Sequence, residues 1–247
     1  MNKITICHLY PDLLNLYGDR GNIIALQKRC EWRGIEVEVI PVGIGQKFEP
    51  ELYDIIFFGG GQDFEQGLIL DDLINDKGDA IRKAVEDDKV FLCICGGYQM
   101  MGEFYIDSDG RKLDCLNAVP LSTTAGEKRL IGNIICHSDE LLSSGKDPVL
   151  VGFENHSGKT TLKNGVRPLA RIISGYGNNG VDGAEGARYK NTYCTYMHGS
   201  FLPKNPQMAD ELIQVAIKRR TGDFIQLEHI DDEFETNARL HVQTCKK

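Results

Sequence analysis

The stretch from Val90 to Met101 constrains this chain more than any other. Val90 to Ile94 are apolar and β-favouring, Cys95 follows at once, then Gly96 and Gly97, and a segment of helical character opens at Tyr98. That order reads as strand, tight turn and helix, with a thiol at the turn. Such an elbow holds a nucleophile in a strained, exposed position at the carboxyl end of a strand, and the helix behind it aims unpaired N–H groups at the sulfur. A helix N-terminus and a neighbouring imidazole both favour the thiolate. Gly96 and Gly97 carry no side chains, so a substrate carbonyl can approach backbone N–H groups there. An apolar strand ending in Gly-Gly is also how an ordinary buried strand leaves a sheet, and buried cysteine is common. Cys93 is a rival thiol; Cys95 is preferred because it alone adjoins the turn. Cys93-x-Cys95 finds no second pair at metal-ligand spacing, so no metal is expected.

The residues before the elbow set the fold class. Ile4 to Cys7 read as a first strand closed by Pro11. Asn15 to Asn22 is turn chemistry, with Asp19 or Asn22 placed to cap a helix carrying Ile23, Leu26 and Cys30. Gly34 ends that helix; Ile35, Val37 and Val39 alternate as a second strand, and Tyr53 to Phe58 form a third that empties into Gly59-Gly60-Gly61-Gln62-Asp63. Ala80 to Asp88 is helical and leads into the Val90 strand. This alternation predicts an α/β fold with a doubly wound, mostly parallel sheet flanked by helices, whose ligands sit outside the carboxyl ends of the strands. The triple glycine and Cys95 both fall on that edge. A glycine-loop N–H can therefore join that of Gly96 in an oxyanion hole; the alternative is a plain flexible turn.

After Phe104 the short apolar runs Leu130 to Cys136, Val149 to Phe153, Leu169 to Ser174 and Tyr193 to Met197 predict a β-rich flank on one domain spanning 1–247. Helices over Gln207 to Arg220 and Asp232 to Lys246 close the chain. Gly158-Lys159-Thr160 resembles the end of a phosphate loop, but the preceding glycine, Gly152, is one residue too far away. Tyr176 to Gly186 reads as a glycine-rich surface loop rather than a calcium loop. A net charge of −8 argues against a nucleic-acid surface, which needs clustered Lys and Arg. Eight cysteines in 247 residues are too dilute for a disulfide scaffold, and no signal peptide is legible at the start, so a cytoplasmic chain with reduced thiols is expected. No apolar run approaches the roughly 20 residues of a membrane span.

A second chemical group stands at a strand end. His198-Gly199 follows the Tyr193 to Met197 run directly, so its imidazole is a candidate partner for Cys95. His156, in Phe153-Glu154-Asn155-His156-Ser157-Gly158, is a weaker rival.

Three segments together resemble the class I glutamine amidotransferases of the cobyric acid synthase type: Cys95-Gly96-Gly97-Tyr98-Gln99, Gly59 to Asp63 and Tyr196-Met197-His198-Gly199. Within that family, Tyr10 to Asn22, Lys128 to Asn133, Gly152 to Gly158 and Tyr176 to Gly186 are most similar to the amidotransferase subunits of lipid II isoglutaminyl synthases. The resemblance covers nearly the whole chain. It implies a glutaminase that hydrolyses L-glutamine and delivers ammonia to a Mur-ligase-like synthetase subunit in a heterodimer, with ATP and Mg on that partner and no cofactor in this chain. The partner would amidate the α-carboxylate of D-glutamate in lipid II. By the same resemblance Cys95 is the nucleophile, His198 the base, Gly60 and Gly96 the oxyanion donors, and Arg129 the clamp for the glutamine α-carboxylate, a role that suits its planar fork.

Two positions depart from the family pattern. Cys93 stands where the elbow usually has glycine, and Ser200 stands where many members carry the glutamate that orients the histidine. No other carboxylate has a strand-end argument tying it to His198, so the expectation is that a partner Asp or Glu completes the site. Two alternatives share the fold: a cobyric-acid-type amidase or other Cys/His hydrolase, and a non-catalytic binding module in which Cys95 is inert.

Overall fold

The computed structural model describes residues 3–15 and 18–244. The first half is built of β1 (Lys3–Leu9), α1 (Arg20–Glu31), β2 (Glu36–Val42), β3 (Ile55–Phe58), α2 (Asp63–Asp71), α3 (Gly78–Glu86), β4 (Val90–Ile94) and α4 (Gly96–Met100). After it come β5 (Phe104–Ile106), β6 (Lys112–Asp114), β7 (Leu121–His137), α5 (Asp139–Ser143), β8 (Val149–Leu162), β9 (Ala170–Ser174), β10 (Ala184–Glu185), β11 (Ala187–Tyr189) and β12 (Thr192–Thr195). Three helices follow: α6 (Phe201–Lys204), α7 (Pro206–Thr221) and α8 (Glu233–Thr244).

One sheet runs β11-β12-β4-β3-β1-β2, parallel throughout except for β11. Every residue of β3 and β4 is buried, as continuous apolar runs in the centre of a parallel sheet must be. β2 is exposed or half-buried up to Pro41, with only Val42 buried, which suits an edge. The expected α/β architecture is present, with boundaries moved by a residue or two. α2 was not read from the sequence, and residues beyond 244 of the expected closing helix, like Leu16 and Tyr17 of the expected turn, lie outside the described residues.

The β-rich flank is a second sheet, ordered β10-β9-β7-β5-β6 with β8 on the other edge of β7. β7 and β8 form a long hairpin whose register shifts between Ala125 and Leu130, a bulge that carries Arg129. Gly158-Lys159-Thr160 is paired strand in β8 rather than a phosphate loop. The hairpin reaches the first sheet where β12 ends: Phe153 and His198 exchange backbone hydrogen bonds of 3.2 and 2.8 Å. A Cβ on Gly152 would lie 2.5 Å from Met197 Cβ, so only glycine lets the two chains meet this closely.

At the opposite end of α1, Arg29 binds Asp210 of α7 and Asp232 before α8, at 2.7 and 2.5 Å, and Arg33 shares Asp210 at 2.7 Å. This cluster fastens the C-terminal helices to the sheet. Both arginine side chains are buried, and their charges hold the Asp210 carboxyl below the usual range against the opposing effect of burial.

Candidate active site

The elbow forms as its residues dictate. β4 ends at Ile94, and Cys95 turns with φ 45° and ψ −99°, a conformation that side-chain-bearing residues rarely adopt and that surrounding structure must impose. The Cys95 N–H donates to Thr195 O at 2.9 Å, and the Gly97 N–H donates to Gly59 O at 3.1 Å. A Cβ on Gly97 would stand 2.4 Å from Phe58 O, so glycine is required for the elbow to rest on the end of β3. The strain is as expected; the exposure is not. Cys95 is only 6% exposed and forms the floor of a cleft of about 200 Å³. Cys93 faces the core, where burial and its neighbour Cys194 push its thiol well up, which removes it as a rival nucleophile.

Three side chains converge on Gly60. A Cβ built there would lie 3.0 Å from His198 Cε1, 3.1 Å from Asp19 Oδ2 and 3.4 Å from Cys95 Cβ. His198 is fully buried, and its Nδ1 stands 3.5 Å from Asp19 Oδ1. Burial opposes charge on this ring, but attraction to the Cys95 sulfur and to the Asp19 carboxylate outweighs it and raises the imidazole to about 10. His198 and Cys95 are thus brought together as the sequence predicts.

Asp19 is what sequence reasoning missed. It stands at the N-cap position of α1 but makes no side-chain cap bond, and Asn22 Oδ1 accepts the Leu202 N–H at 2.8 Å instead of capping; the expectation that either residue caps α1 is corrected. Asp19 Oδ2 instead accepts the Gly60 N–H at 2.8 Å. That bond engages the Gly60 amide, expected as an oxyanion donor, with a carboxylate. Gly96, the other expected donor, is the first residue of α4. Ser200, at the customary glutamate position, donates through Oγ to Gly18 O at 2.7 Å and so fastens the loop that brings Asp19 in. Asp19, which had no strand-end argument tying it to His198, thus stands beside that ring. Its only sequence signal was a carboxylate between two glycines ahead of an amphipathic helix, which capping explained equally well.

The cleft wall is amide-rich. Gln66 donates to Gln99 at 3.1 Å, and Gln99 donates to the Tyr196 hydroxyl at 3.2 Å. Arg129 lines the same cleft from the β7 bulge, its Nε donating to Asn155 Oδ1 at 3.0 Å and its Nη2 to Asn155 O at 3.1 Å. His156 also lines it, stacked on Tyr196 with ring centres 3.6 Å apart; burial pushes its pKa down to about 4, so the ring is neutral. Tyr176 to Gly186 is exposed at its tip but anchored at its ends. Asn178 accepts from Tyr98 Oη at 3.1 Å, and buried Glu185 accepts from Thr195 Oγ1 at 2.6 Å and the Tyr196 N–H at 2.8 Å. It braces both the nucleophile helix and the histidine strand.

Among the described residues no group of His, Cys, Asp and Glu is gathered to hold a metal, and no helix is long and apolar enough to cross a membrane. Residues 5–206 match the model of the CobB/CobQ-like glutamine amidotransferase domain. The chain is 40% identical to the lipid II isoglutaminyl synthase (glutamine-hydrolyzing) subunit GatD of Staphylococcus aureus, over 97% of this chain and 94% of that protein. It is 39% identical to the protein of the same description from Streptococcus pneumoniae, over 93% of this chain and 86% of that one. A glutamine amidotransferase structure from Thermotoga maritima shares the fold, with a TM-score of 0.54 at 15% identity, covering 97% of this chain and 93% of that one. A thiol on a strained elbow, an imidazole beside it and these likenesses lead to one conclusion: the chain belongs to the CobB/CobQ-like glutamine amidotransferase family.

Proposed function

We propose that this chain is the glutaminase subunit of a lipid II isoglutaminyl synthase. The observation that carries the chemistry is the approach of buried His198 to Cys95 at Gly60, with Cys95 lining a cleft that Arg129 also lines. Glutamine enters with its α-carboxylate on the Arg129 guanidinium, which Asn155 holds in place, and with its carboxamide over Cys95. The Cys95 thiolate attacks the carboxamide carbon while His198, as imidazolium, protonates the departing ammonia. The Gly96 N–H and the glycine-loop backbone that lines the cleft at Gly61 stabilise the oxyanion. A γ-glutamyl thioester remains, and water activated by the neutral imidazole releases glutamate.

The substrate of the second half-reaction comes from the likeness to the two GatD subunits, which covers almost the full length of all three chains. A Mur-ligase-like synthetase subunit, with ATP and Mg, activates the D-glutamate α-carboxylate of lipid II and receives the ammonia. Both subunits work in the cytoplasm, on the face of the membrane where lipid II is assembled. The test is glutamine hydrolysis by the purified chain with and without a candidate synthetase subunit, followed by amidation of lipid II by the pair. Glutaminase activity without lipid II amidation would retain the enzyme class and reject the acceptor.

A further inference from the structure

The cleft meets its ligand with an unequal set of groups. L-Glutamine brings an α-carboxylate and an α-ammonium besides the carboxamide. Arg129 answers the first charge, but among the described residues no Asp or Glu lines the cleft, so the ammonium needs neutral acceptors. Asn155 has its Oδ1 on Arg129 Nε at 3.0 Å; His156 donates through Nδ1 to Gly158 O at 2.7 Å and turns Nε2 to the Glu154 carboxylate, 4.0 Å away. Gln66 of α2 is different. It lines the cleft, is 3% exposed, and its Oε1 accepts from no described residue. A buried amide oxygen without a donor is costly, and at a cleft wall it marks where a donor from outside belongs.

The sense of that amide is fixed by the backbone. Gln66 Nε2 donates to Gly61 O at 3.2 Å, and a carbonyl oxygen only accepts, so turning the amide over would set two oxygens against each other. The same Nε2 donates to Gln99 Oε1 at 3.1 Å, which leaves Gln99 Nε2 to donate to Tyr196 Oη at 3.2 Å. Having accepted there, Tyr196 donates to Thr160 Oγ1 at 2.7 Å, and Thr160 to Thr123 Oγ1 at 2.8 Å. All of these side chains are buried, so the series runs in one direction from one fixed carbonyl. The capping box of α2, in which the Gln62 N–H donates to Glu65 Oε2 at 3.0 Å, holds the first turn that carries Gln66.

Glutamine offers two donors. Its carboxamide nitrogen has to leave toward His198, beside Gly60, whereas Gln66 Nε2 lies 2.9 Å from where a Cβ on Gly96 would stand. The donor for Gln66 is therefore the α-ammonium. We propose that Gln66 selects α-amino acids in this cleft, its Oε1 accepting an N–H of the glutamine α-ammonium, and that Tyr196 is a positioning residue that holds the donor sense of the amide series through Gln99. The assignment rests on the glutaminase reading of Cys95 and His198. Arg129 and Gln66 line one cleft of about 200 Å³, small enough for a single amino acid to touch both. A carboxylate in place of the Gln66 amide would lose the bond to Gly61 O, which explains a neutral residue opposite a cation.

The test measures binding without turnover, by calorimetry on the full Cys95→Ala chain with the synthetase subunit present. The ligands are L-glutamine and glutaramate, the same molecule without the α-ammonium. This parent should favour glutamine by about 10- to 100-fold, the range of a hydrogen bond to a charged group. Adding Gln66→Met should weaken glutamine by about that factor and glutaramate by less than about threefold, and adding Tyr196→Phe should reduce the ratio of the two affinities by roughly threefold or more. A merely structural role weakens both ligands alike and leaves the ratio unmoved. Glutaramate binding the parent within about threefold of glutamine overturns the proposal, as does a ratio in the Gln66→Met chain within about threefold of the parent's. Should Gln66→Met not fold, the ratio in Tyr196→Phe decides, and an unmoved ratio overturns the proposal. A parent that binds no glutamine and, with Cys95 restored, hydrolyses none rejects the glutaminase reading itself.

Discussion

The two ends of α1 use buried charge in opposite ways. At its C-terminal end, Arg29 meets Asp210 and Asp232, and Arg33 just beyond the helix meets Asp210, through paired hydrogen bonds, and the charges answer one another within the cluster. At its N-terminus, Asp19 satisfies one oxygen with a backbone amide and directs the other at a histidine over 3.5 Å. Saturated ion pairs hold elements together, and breaking one leaves a stranded charge. An unsaturated carboxylate beside an imidazole is instead available to change a protonation state, which is a property of sites rather than of scaffolds.

The sharpest separation of the two ends comes from the site itself. Cys95→Ala should lower glutamine hydrolysis by roughly four orders of magnitude or more without changing the thermal midpoint, whereas Cys93→Ala should keep most of the activity. Steady-state assays with parallel thermal melts check this, and a lethal Cys93 change would misplace the nucleophile. At the saturated end, Arg29→Ala should cost about 3–5 kcal/mol of unfolding free energy, because Asp210 and Asp232 lose a buried partner. Urea titrations measure that loss. The pH profile of Cys95 alkylation should stay fixed in the folded variant, and a moved profile would break the distinction between the two ends.

Arg129→Ala lies between these extremes. Loss of a charged hydrogen-bonded contact to the substrate carboxylate, about 1.5–3 kcal/mol, should raise KM for glutamine about tenfold to over a hundredfold and change kcat less. Unchanged kinetics would leave Arg129 a rim residue bound to Asn155. The smallest effect is expected at Glu185, another buried carboxylate, which burial raises to about 7. Its folded pKa lies above the ordinary 4.5, so its contribution to stability is present below about pH 4.5 and lost as pH rises through 7. Glu185→Gln removes that dependence. Its melting temperature relative to wild type should therefore improve between pH 5 and pH 8, and a constant difference across that range would count against a raised carboxyl.

Much of the architecture was legible because it is local. Val90 to Ile94 is one apolar run, and only a strand buried on both faces uses such a run before a Gly-Gly turn. His198 was legible for the same reason, as a polar residue closing the apolar run that contains a buried strand. The second sheet was read only as scattered strands, since the pairing of β7 with β8 joins residues far apart and its bulge has no signature beyond glycine and charge. Asp19 was hidden by a competing local rule. A carboxylate before an amphipathic helix reads as a cap, and nothing in the spacing tells that Gly60, from a different strand end, will take the bond instead.

The sequence by itself determined the parallel sheet, the elbow at Cys95 and the choice of Cys95 over Cys93, because strand periodicity, glycine placement and turn chemistry act over a few residues. The tertiary structure alone decided which amides, carboxylates and imidazoles meet. Three strand ends and the first turn of α1 converge on Gly60, and that convergence makes Asp19 a neighbour of His198, engages the Gly60 N–H with a carboxylate and puts the thiol on the floor of a cleft. Hydrogen bonds and charges between residues distant in the chain depend on how whole elements pack, and no short-range pattern encodes a distance of 3.5 Å between position 19 and position 198.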